Sequence, residues 1–129
     1  MHVGLIGYGY WGKILAQALA KDQRVSLLSI VSKQPLTNEQ VRESFSSSHL
    51  QIRVCSMAEL QSEALAGVVI ATPEETHLAI AEQFISKGVP CFVEKPLGKS
   101  LHAVKQLTYH AEQLKTKLHV DHVFIYDQQ

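Results

Sequence analysis

The chain has 129 residues, of which 46% are hydrophobic and 19% are charged, a composition typical of one soluble globular domain. Twelve basic and twelve acidic side chains give a formal net charge of zero, which argues against nucleic acid or an acidic membrane surface as a partner. The two cysteines, the absence of a signal-peptide pattern and the lack of a long apolar run predict a cytoplasmic protein with free thiols.

The first half of the chain alternates between strand and helix patterns. In order, these are a strand over residues 2–6, a helix, a strand over 24–31, a short helix, a strand over 51–54 and a second short helix. The apolar face predicted for the first helix is formed by Trp11, Ile14, Leu15, Ala18 and Leu19. The two short helices begin with capping boxes, at Thr37 to Gln40 and at Ser56 to Glu59, and a serine-rich loop at 44–48 ends the first.

The second half of the chain continues this alternation. In order, it shows an apolar strand over 67–71, a helix over 76–87, a strand over 90–93, a long helix and a last strand over 119–126. Gly88 is placed as a carboxyl-terminal cap, and Ser100 caps the long helix. The predicted apolar faces are Leu78, Ala81, Phe84 and Ile85, then Leu101, Val104, Leu107, Ala111 and Leu114. Regular alternation predicts one α/β domain over 1–129, a doubly wound parallel sheet (Rossmann fold) in three layers with strand order 3-2-1-4-5-6.

A glycine-rich motif follows the first predicted strand and opens the first predicted helix. It reads Gly7-Tyr8-Gly9-Tyr10-Trp11-Gly12. In this pattern Gly7 allows a tight turn, Gly9 lets the backbone approach a pyrophosphate, and Gly12 lets the helix pack close to the strand. The helix start offers amide protons and partial positive charge to phosphates. The motif therefore predicts a dinucleotide site walled by its three aromatic residues, with core packing as the alternative for Trp11.

The end of the second predicted strand favours NADP over NAD. A site for NAD usually has an acidic residue there that binds the ribose 2′-hydroxyl group. Here Ser32 and Lys33 follow the strand, and no acidic residue occurs before Glu39. A hydroxyl group and an ammonium group suit a 2′-phosphate. NAD remains the alternative if Lys33 is only a solvated surface lysine.

Two further motifs follow the fourth and fifth predicted strands. They read Ala71-Thr72-Pro73-Glu74-Glu75-Thr76-His77 and Val93-Glu94-Lys95-Pro96-Leu97. Together with the glycine motif, they resemble the amino-terminal domain of the glucose–fructose oxidoreductase, inositol dehydrogenase and rhizopine catabolism (Gfo/Idh/MocA) family. The resemblance covers essentially the whole chain.

The resemblance implies roles for residues after these two strands. Ala71, Thr72 and Pro73 would line the cofactor site where the strand order reverses. His77 would open the next helix close by, as a helix-start residue rather than an acid–base catalyst. Glu94 would lie near the nicotinamide ribose.

Lys95 is the residue to which the resemblance assigns a catalytic or orienting role, beside the nicotinamide and the substrate hydroxyl group. A fixed ammonium group can stabilise charge that develops on the substrate oxygen during hydride transfer. Pro96 would fix the turn, often through a cis bond in this family. Asp121 and His122 end the last strand on the same edge without matching a motif. His119 and His122 alternate but lack a third ligand at a fitting spacing, so no metal site is predicted.

The family's enzymes carry a second, larger α+β domain that forms the substrate pocket. We expect that domain to be missing from this sequence, which then supplies the cofactor-binding half of an oxidoreductase acting on a small molecule, a sugar, cyclitol or related hydroxyl or carbonyl compound. The alternatives are a free-standing nucleotide-binding module without turnover and a structural domain with a degenerate site. An uncovered edge strand at residues 120–126 would favour a homo-oligomer.

Overall fold

The strands form one parallel sheet. A computed structural model describes residues 1–46 and 49–120, and these contain six strands. In chain order they are β1 His2–Ile6, β2 Leu27–Val31, β3 Gln51–Val54, β4 Gly67–Ile70, β5 Cys91–Val93 and β6 Leu118–Val120. Their spatial order is β3-β2-β1-β4-β5-β6 and every neighbouring pair is parallel, which confirms the predicted doubly wound fold.

Helices connect the successive strands. They are α1 Tyr10–Ala20, α2 Asn38–Arg42, α3 Met57–Gln61, α4 His77–Ile85 and α5 Leu101–Gln113, with a 3₁₀ turn at Glu74–Thr76 before α4. Both predicted capping boxes are confirmed, because Thr37 Oγ1 accepts a hydrogen bond from Gln40 N and Ser56 Oγ accepts one from Glu59 N, each at 3.1 Å. Ser100 caps α5 with its hydroxyl group. Local sequence therefore sets the starts of these three helices.

Apolar side chains pack on both faces of the sheet, because alternate residues of a strand point to opposite sides. Ile6 of β1 belongs to one buried cluster with Phe84 of α4 and Leu107 of α5. Its neighbour Leu5 belongs to the other cluster, with Ala16 of α1. The sheet is thus the middle of three layers.

The buried face of α1 differs from the predicted one. Gly12, Ala16 and Ala20 are buried at intervals of four residues, whereas Trp11 and Ile14 are 56% and 42% exposed. Small residues on the contact face let the helix lie close to the sheet. Leu15 and Leu19 of the predicted face are half-buried and pack against the same core cluster, whereas Trp11 and Ile14 are directed away from it. The predicted face is therefore confirmed for Leu15 and Leu19 and wrong for Trp11 and Ile14, because the prediction counted apolar residues without weighing their size.

α5 buries only the centre of its predicted apolar face. Leu107 and Ala111 are buried and Val104 is half-buried, whereas Leu101 and Leu114 are 68% and 44% exposed. Only the middle turns of α5 contribute to the core cluster beneath it. The leucines at the two ends of the helix therefore project beyond the core.

β2 begins later than predicted because a turn occupies the segment before it. The Asp22 carboxylate accepts hydrogen bonds from the backbone amide and the guanidinium group of Arg24. These bonds, with the charge of Arg24, lower the pKa of Asp22 to about 2. Val25 N donates to Asp22 O at 3.1 Å, so the strand starts only at Leu27.

Several predictions fall partly outside the described residues. The structure describes the predicted strand at 119–126 as far as Val120, and Asp121 and His122 lie outside the described residues. Ser47 and Ser48 of the serine-rich loop also lie outside them. Predictions for these residues stay predictions.

Both cysteines are free thiols. Cys91 in β5 is buried, and its burial raises the pKa of the thiol to about 12. Cys55 is half-buried, and burial is the main reason that its pKa is also raised. Among the helices of the described residues, none has both the length and the apolar character needed to cross a membrane.

Candidate functional site

The candidate site lies at the carboxyl ends of the central strands. Backbone hydrogen bonding continues one residue beyond β1, β4 and β5. The bonds are Gly7 N to Val31 O at 2.8 Å, Ala71 N to Ile6 O at 2.8 Å and Glu94 N to Ile70 O at 3.0 Å. They place the starts of three loops on one edge of the sheet, where the strand order reverses and ligands of such sheets bind.

Two glycines of the motif are required by close backbone contacts. Gly7 has φ of +100°, and a Cβ there would lie 2.6 Å from Ala71 O. A Cβ on Gly12 would lie 2.1 Å from Gly7 O. Any side chain at either position would push the turn or the start of α1 away from the sheet, so these two glycines shape the fold itself.

Gly9 is different, because no other part of the protein lies within 4 Å of a Cβ built on it. It is the N-cap of α1, with φ of −83° and extended backbone that other residues also adopt. No side chain caps the helix, and its first turn contains no acidic residue. The open space at Gly9 therefore lies at the positive end of the helix dipole, beside amides that helical bonding leaves unpaired. A phosphate group fits this position.

Aromatic side chains flank the turn. Tyr10 and Trp11 are 74% and 56% exposed, and their rings meet edge to face with centroids 5.4 Å apart. This exposure rules out core packing as the role of Trp11. Tyr8 is half-buried, and burial raises the pKa of its phenol. Lys13 Nζ lies 5.9 Å from the centroid of the Tyr8 ring, a cation–π distance that brings positive charge close to the turn.

The glycine turn and the loops after β2 and β4 enclose one cleft of about 360 Å³. Its lining residues are Gly7, Tyr8, Gly9, Tyr10, Trp11, Ser32, Lys33, Gln34, Ala71, Thr72 and Pro73. The structure thus brings together most of the residues that the sequence predicts for the cofactor, and it adds Gln34. The available signal for Gln34 was its position directly after Lys33 in the same loop.

The loop after β2 presents a hydroxyl group and a cation to the cleft. Gln34 N donates a hydrogen bond to Ser32 Oγ at 3.2 Å, so Ser32 keeps its own proton to donate elsewhere. Lys33 is exposed at the rim. The first carboxylate after β2 belongs to Glu39 in α2. The loop therefore lacks the carboxylate that usually binds a ribose 2′-hydroxyl group.

The loop after β4 carries a short chain of hydrogen bonds. Thr76 Oγ1 donates its proton to Pro73 O at 2.6 Å. The Thr72 hydroxyl group, 2.6 Å from Thr76 Oγ1, must therefore be the donor of that pair. Thr72 Oγ1 retains lone pairs at the cleft wall, which suits it to accept a hydrogen bond from a ligand hydroxyl or amide.

His77 lies behind the cleft rather than on its surface. The residue is 2% exposed at the start of α4. Its Nε2 lies 2.7 Å from Thr72 O, and its Nδ1 lies 2.8 Å from Pro96 O. His77 therefore contacts both the loop after β4 and the loop after β5 through backbone oxygens.

Lys95 and Pro96 lie beside a neighbouring groove. Both residues are exposed, and the peptide bond between them is cis. They line a groove of about 720 Å³ together with residues of α5 and β6. Leu97, which is 6% exposed, anchors this loop in the core, and Glu94 is half-buried at the end of β5. The structure thus groups Lys95 and Pro96 with α5 and β6, next to the glycine-turn cleft but separate from its lining.

The sequence matches a family model over residues 1–122, nearly the whole chain. That model is described as the oxidoreductase family with an NAD-binding Rossmann fold, and its name is the one that the three motifs suggested. The chain belongs to the Gfo/Idh/MocA oxidoreductase family. The described structure is the family's NAD(P)-binding Rossmann domain, which confirms the resemblance seen in the sequence.

Three relatives show how far the likeness extends. Inositol 2-dehydrogenase of Rhizobium meliloti (strain 1021) is 27% identical over 117 residues, which cover 91% of this chain and 34% of that protein. GenD2 from gentamicin A biosynthesis, solved in complex with NAD, is 28% identical with a TM-score of 0.77, covering 93% of this chain and 34% of that one. Biliverdin reductase of Synechocystis sp. PCC 6803, solved with biliverdin and NADP+, is 26% identical with a TM-score of 0.83. The match covers 97% of this chain and 39% of that one. The chain therefore spans little more than a third of the length of these relatives.

Proposed function

We propose that the chain binds a nicotinamide dinucleotide in the glycine-turn cleft, with the pyrophosphate beside Gly9. This proposal rests on the open space at Gly9, where a Cβ would meet no atom within 4 Å beyond the chain neighbours. The first amides of α1, which no side chain caps, border this space. Gly7 and Gly12 hold the turn in the shape that leaves this space. The residues present therefore fit the cofactor that the family description names.

We propose that NADP is preferred over NAD. Ser32 can donate its proton to a 2′-phosphate, and Lys33 can neutralise part of its charge. Gln34 lines the same part of the cleft and adds a side-chain amide. The relatives were solved with either cofactor, so the argument for NADP rests on this loop alone.

In the whole protein, we propose hydride transfer between the nucleotide and a sugar, cyclitol or related hydroxyl or carbonyl compound. The nicotinamide ring supplies the hydride donor or acceptor. Lys95 Nζ donates a hydrogen bond to the reacting oxygen of the substrate and stabilises the negative charge that develops there. Glu94, at the end of β5, would lie near the nicotinamide ribose, and Thr72, at the end of β4, would line the cofactor site. An inositol dehydrogenase among the relatives supports the choice of substrate class.

Calorimetric titration of the chain with NADPH and, separately, with NADH tests the first two proposals. We expect NADPH to bind about tenfold more tightly, a difference of about 1.4 kcal/mol. Lys33→Ala should remove this preference, whereas Lys105→Ala, an exposed lysine of α5, should keep it. Equal affinity of the parent chain for both cofactors would contradict the NADP preference. Binding of neither cofactor would contradict the proposed site.

A further inference from the structure

A buried histidine joins the two loops on which the proposed nicotinamide end of the site depends. We propose that His77 is a doubly protonated imidazolium that positions the Lys95–Pro96 loop against the Thr72 loop. This inference rests on the proposed function for its consequence in binding. The protonation state itself follows from the geometry of the ring and is tested independently of any cofactor.

The two partners of the ring are both obligate acceptors. Nε2 lies 2.7 Å from Thr72 O and Nδ1 lies 2.8 Å from Pro96 O, and a backbone carbonyl oxygen has no proton to donate. A neutral imidazole carries one N–H group, so it could donate to only one of the two. The other contact would then bring two lone pairs together inside the protein. Both distances are those of hydrogen bonds, and each requires a proton on the ring nitrogen.

The second N–H proton of the His77 ring is important because the ring is buried. The ring is 2% exposed, so water cannot replace a missing hydrogen bond on either side. An unsatisfied buried acceptor destabilises the fold, and two facing lone pairs at this distance destabilise it further. Among the described segments near the ring, the 3₁₀ turn carries Glu74 and Glu75, and the loop after β5 carries Glu94, Lys95 and Lys99.

The contact with Pro96 is one of three that hold the loop directly after Lys95. Pro96 O accepts from His77, Leu97 is buried in the core, and Gly98 approaches α4 so closely that a Cβ there would lie 2.6 Å from Leu78 Cδ1. The contact made by His77 differs from the other two because the same ring also holds Thr72. It therefore fixes the separation between the loops after β4 and β5, and with it the position of Lys95 relative to the cleft.

Nitrogen NMR of the parent chain tests the protonation state directly. With histidine labelled in the ring and the His77 signals assigned through bonds from its own backbone, we expect both ring nitrogens to carry slowly exchanging protons near neutral pH. His102 is exposed on α5 and serves as the internal reference, with protons that exchange rapidly. A His77 ring with one bare nitrogen would overturn the proposal, whatever the behaviour of any variant.

Binding of a whole cofactor and of its adenosine half tests the positioning role. His77→Gln carries both of its amide protons on a single nitrogen, so it cannot place one donor at each of the two positions that the ring nitrogens occupy. We expect it to weaken NADPH binding about tenfold and to leave the affinity for 2′,5′-ADP within about twofold, because that fragment reaches only the glycine turn and the Ser32 loop. His102→Gln is the matched control and should change neither affinity.

The outcomes separate this inference from the proposed function. Equal loss of NADPH and 2′,5′-ADP binding in His77→Gln, or no loss of either, would overturn the positioning role. If the parent chain binds neither ligand, the proposed function fails while the NMR result still decides the state of the ring. If His77→Gln does not fold, the NMR result alone decides the inference.

Discussion

Gly9→Asp should raise the stability of the chain while it abolishes cofactor binding. A Cβ at this position meets no protein atom within 4 Å, and φ of −83° is open to any residue. Aspartate is among the best N-cap residues, so its carboxylate can accept hydrogen bonds from the first amides of α1. Those amides, and the same space, are what a bound pyrophosphate would need.

The expected magnitudes have opposite signs for folding and for binding. A capping carboxylate that also interacts with the helix dipole stabilises a helix by about 0.3–1 kcal/mol, so the free energy of unfolding should rise by that amount. A carboxylate about 4 Å from a phosphate charge costs about 4 kcal/mol at an effective dielectric constant of about 20. We therefore expect the affinity for NADPH to fall by at least about a hundredfold, or 2.7 kcal/mol.

Gly12→Ala is the control, because it should lower the stability of the chain where Gly9→Asp should raise it. Its Cβ would lie 2.1 Å from Gly7 O, so the backbone must shift at a cost of about 1–3 kcal/mol in stability. Urea unfolding measures the stability of each variant, and calorimetric titration with NADPH measures its affinity. A Gly9→Asp variant that binds NADPH like the parent would show that the phosphates do not lie at this turn. Strong destabilisation of Gly9→Asp would show that a side chain at this position does meet other parts of the protein.

Two further outcomes test local features of the fold. Thr37→Ala and Ser56→Ala each remove a capping box and should lower the free energy of unfolding by about 1 kcal/mol in urea denaturation, and an unchanged midpoint for both would contradict the capping role. Cys91, whose pKa is raised to about 12, should resist alkylation at pH 8 until the chain unfolds, and labelling of Cys91 in the native chain faster than that of half-buried Cys55 would contradict its burial.

The features that the sequence predicts well are those that depend on residues close together in the chain or on the order of its elements. A capping box needs only four consecutive residues, so Thr37 and Ser56 announce their helices without reference to the rest of the chain. The parallel order of the sheet follows from the regular alternation of strands and helices, because right-handed crossovers leave few other arrangements. The loops that line the cleft then follow from the carboxyl ends of β1, β2 and β4.

The parts that the sequence did not reveal depend on contacts between distant segments. The sequence predicted that Ile14 of α1 is buried, yet the structure buries Ala16 and leaves Ile14 exposed, because the small residue faces the sheet. His77 is similar, because its partner Pro96 lies 19 residues away in sequence. A histidine at a helix start gives no sign that both of its nitrogens will meet carbonyl oxygens. Periodicity and motif spacing contain no information of this kind.

The glycine motif shows what the structure adds to a pattern that sequence identifies well. The motif assigns a different role to each of its three glycines, and the structure shows how their surroundings differ. Gly7 and Gly12 are closed in by backbone atoms and would be needed in a chain that bound nothing, whereas a Cβ on Gly9 would meet nothing within 4 Å beyond its two chain neighbours. A fold that needed only the turn would tolerate a good N-cap residue in place of Gly9. The contrast between Gly9→Asp and Gly12→Ala therefore separates binding from folding within a single turn.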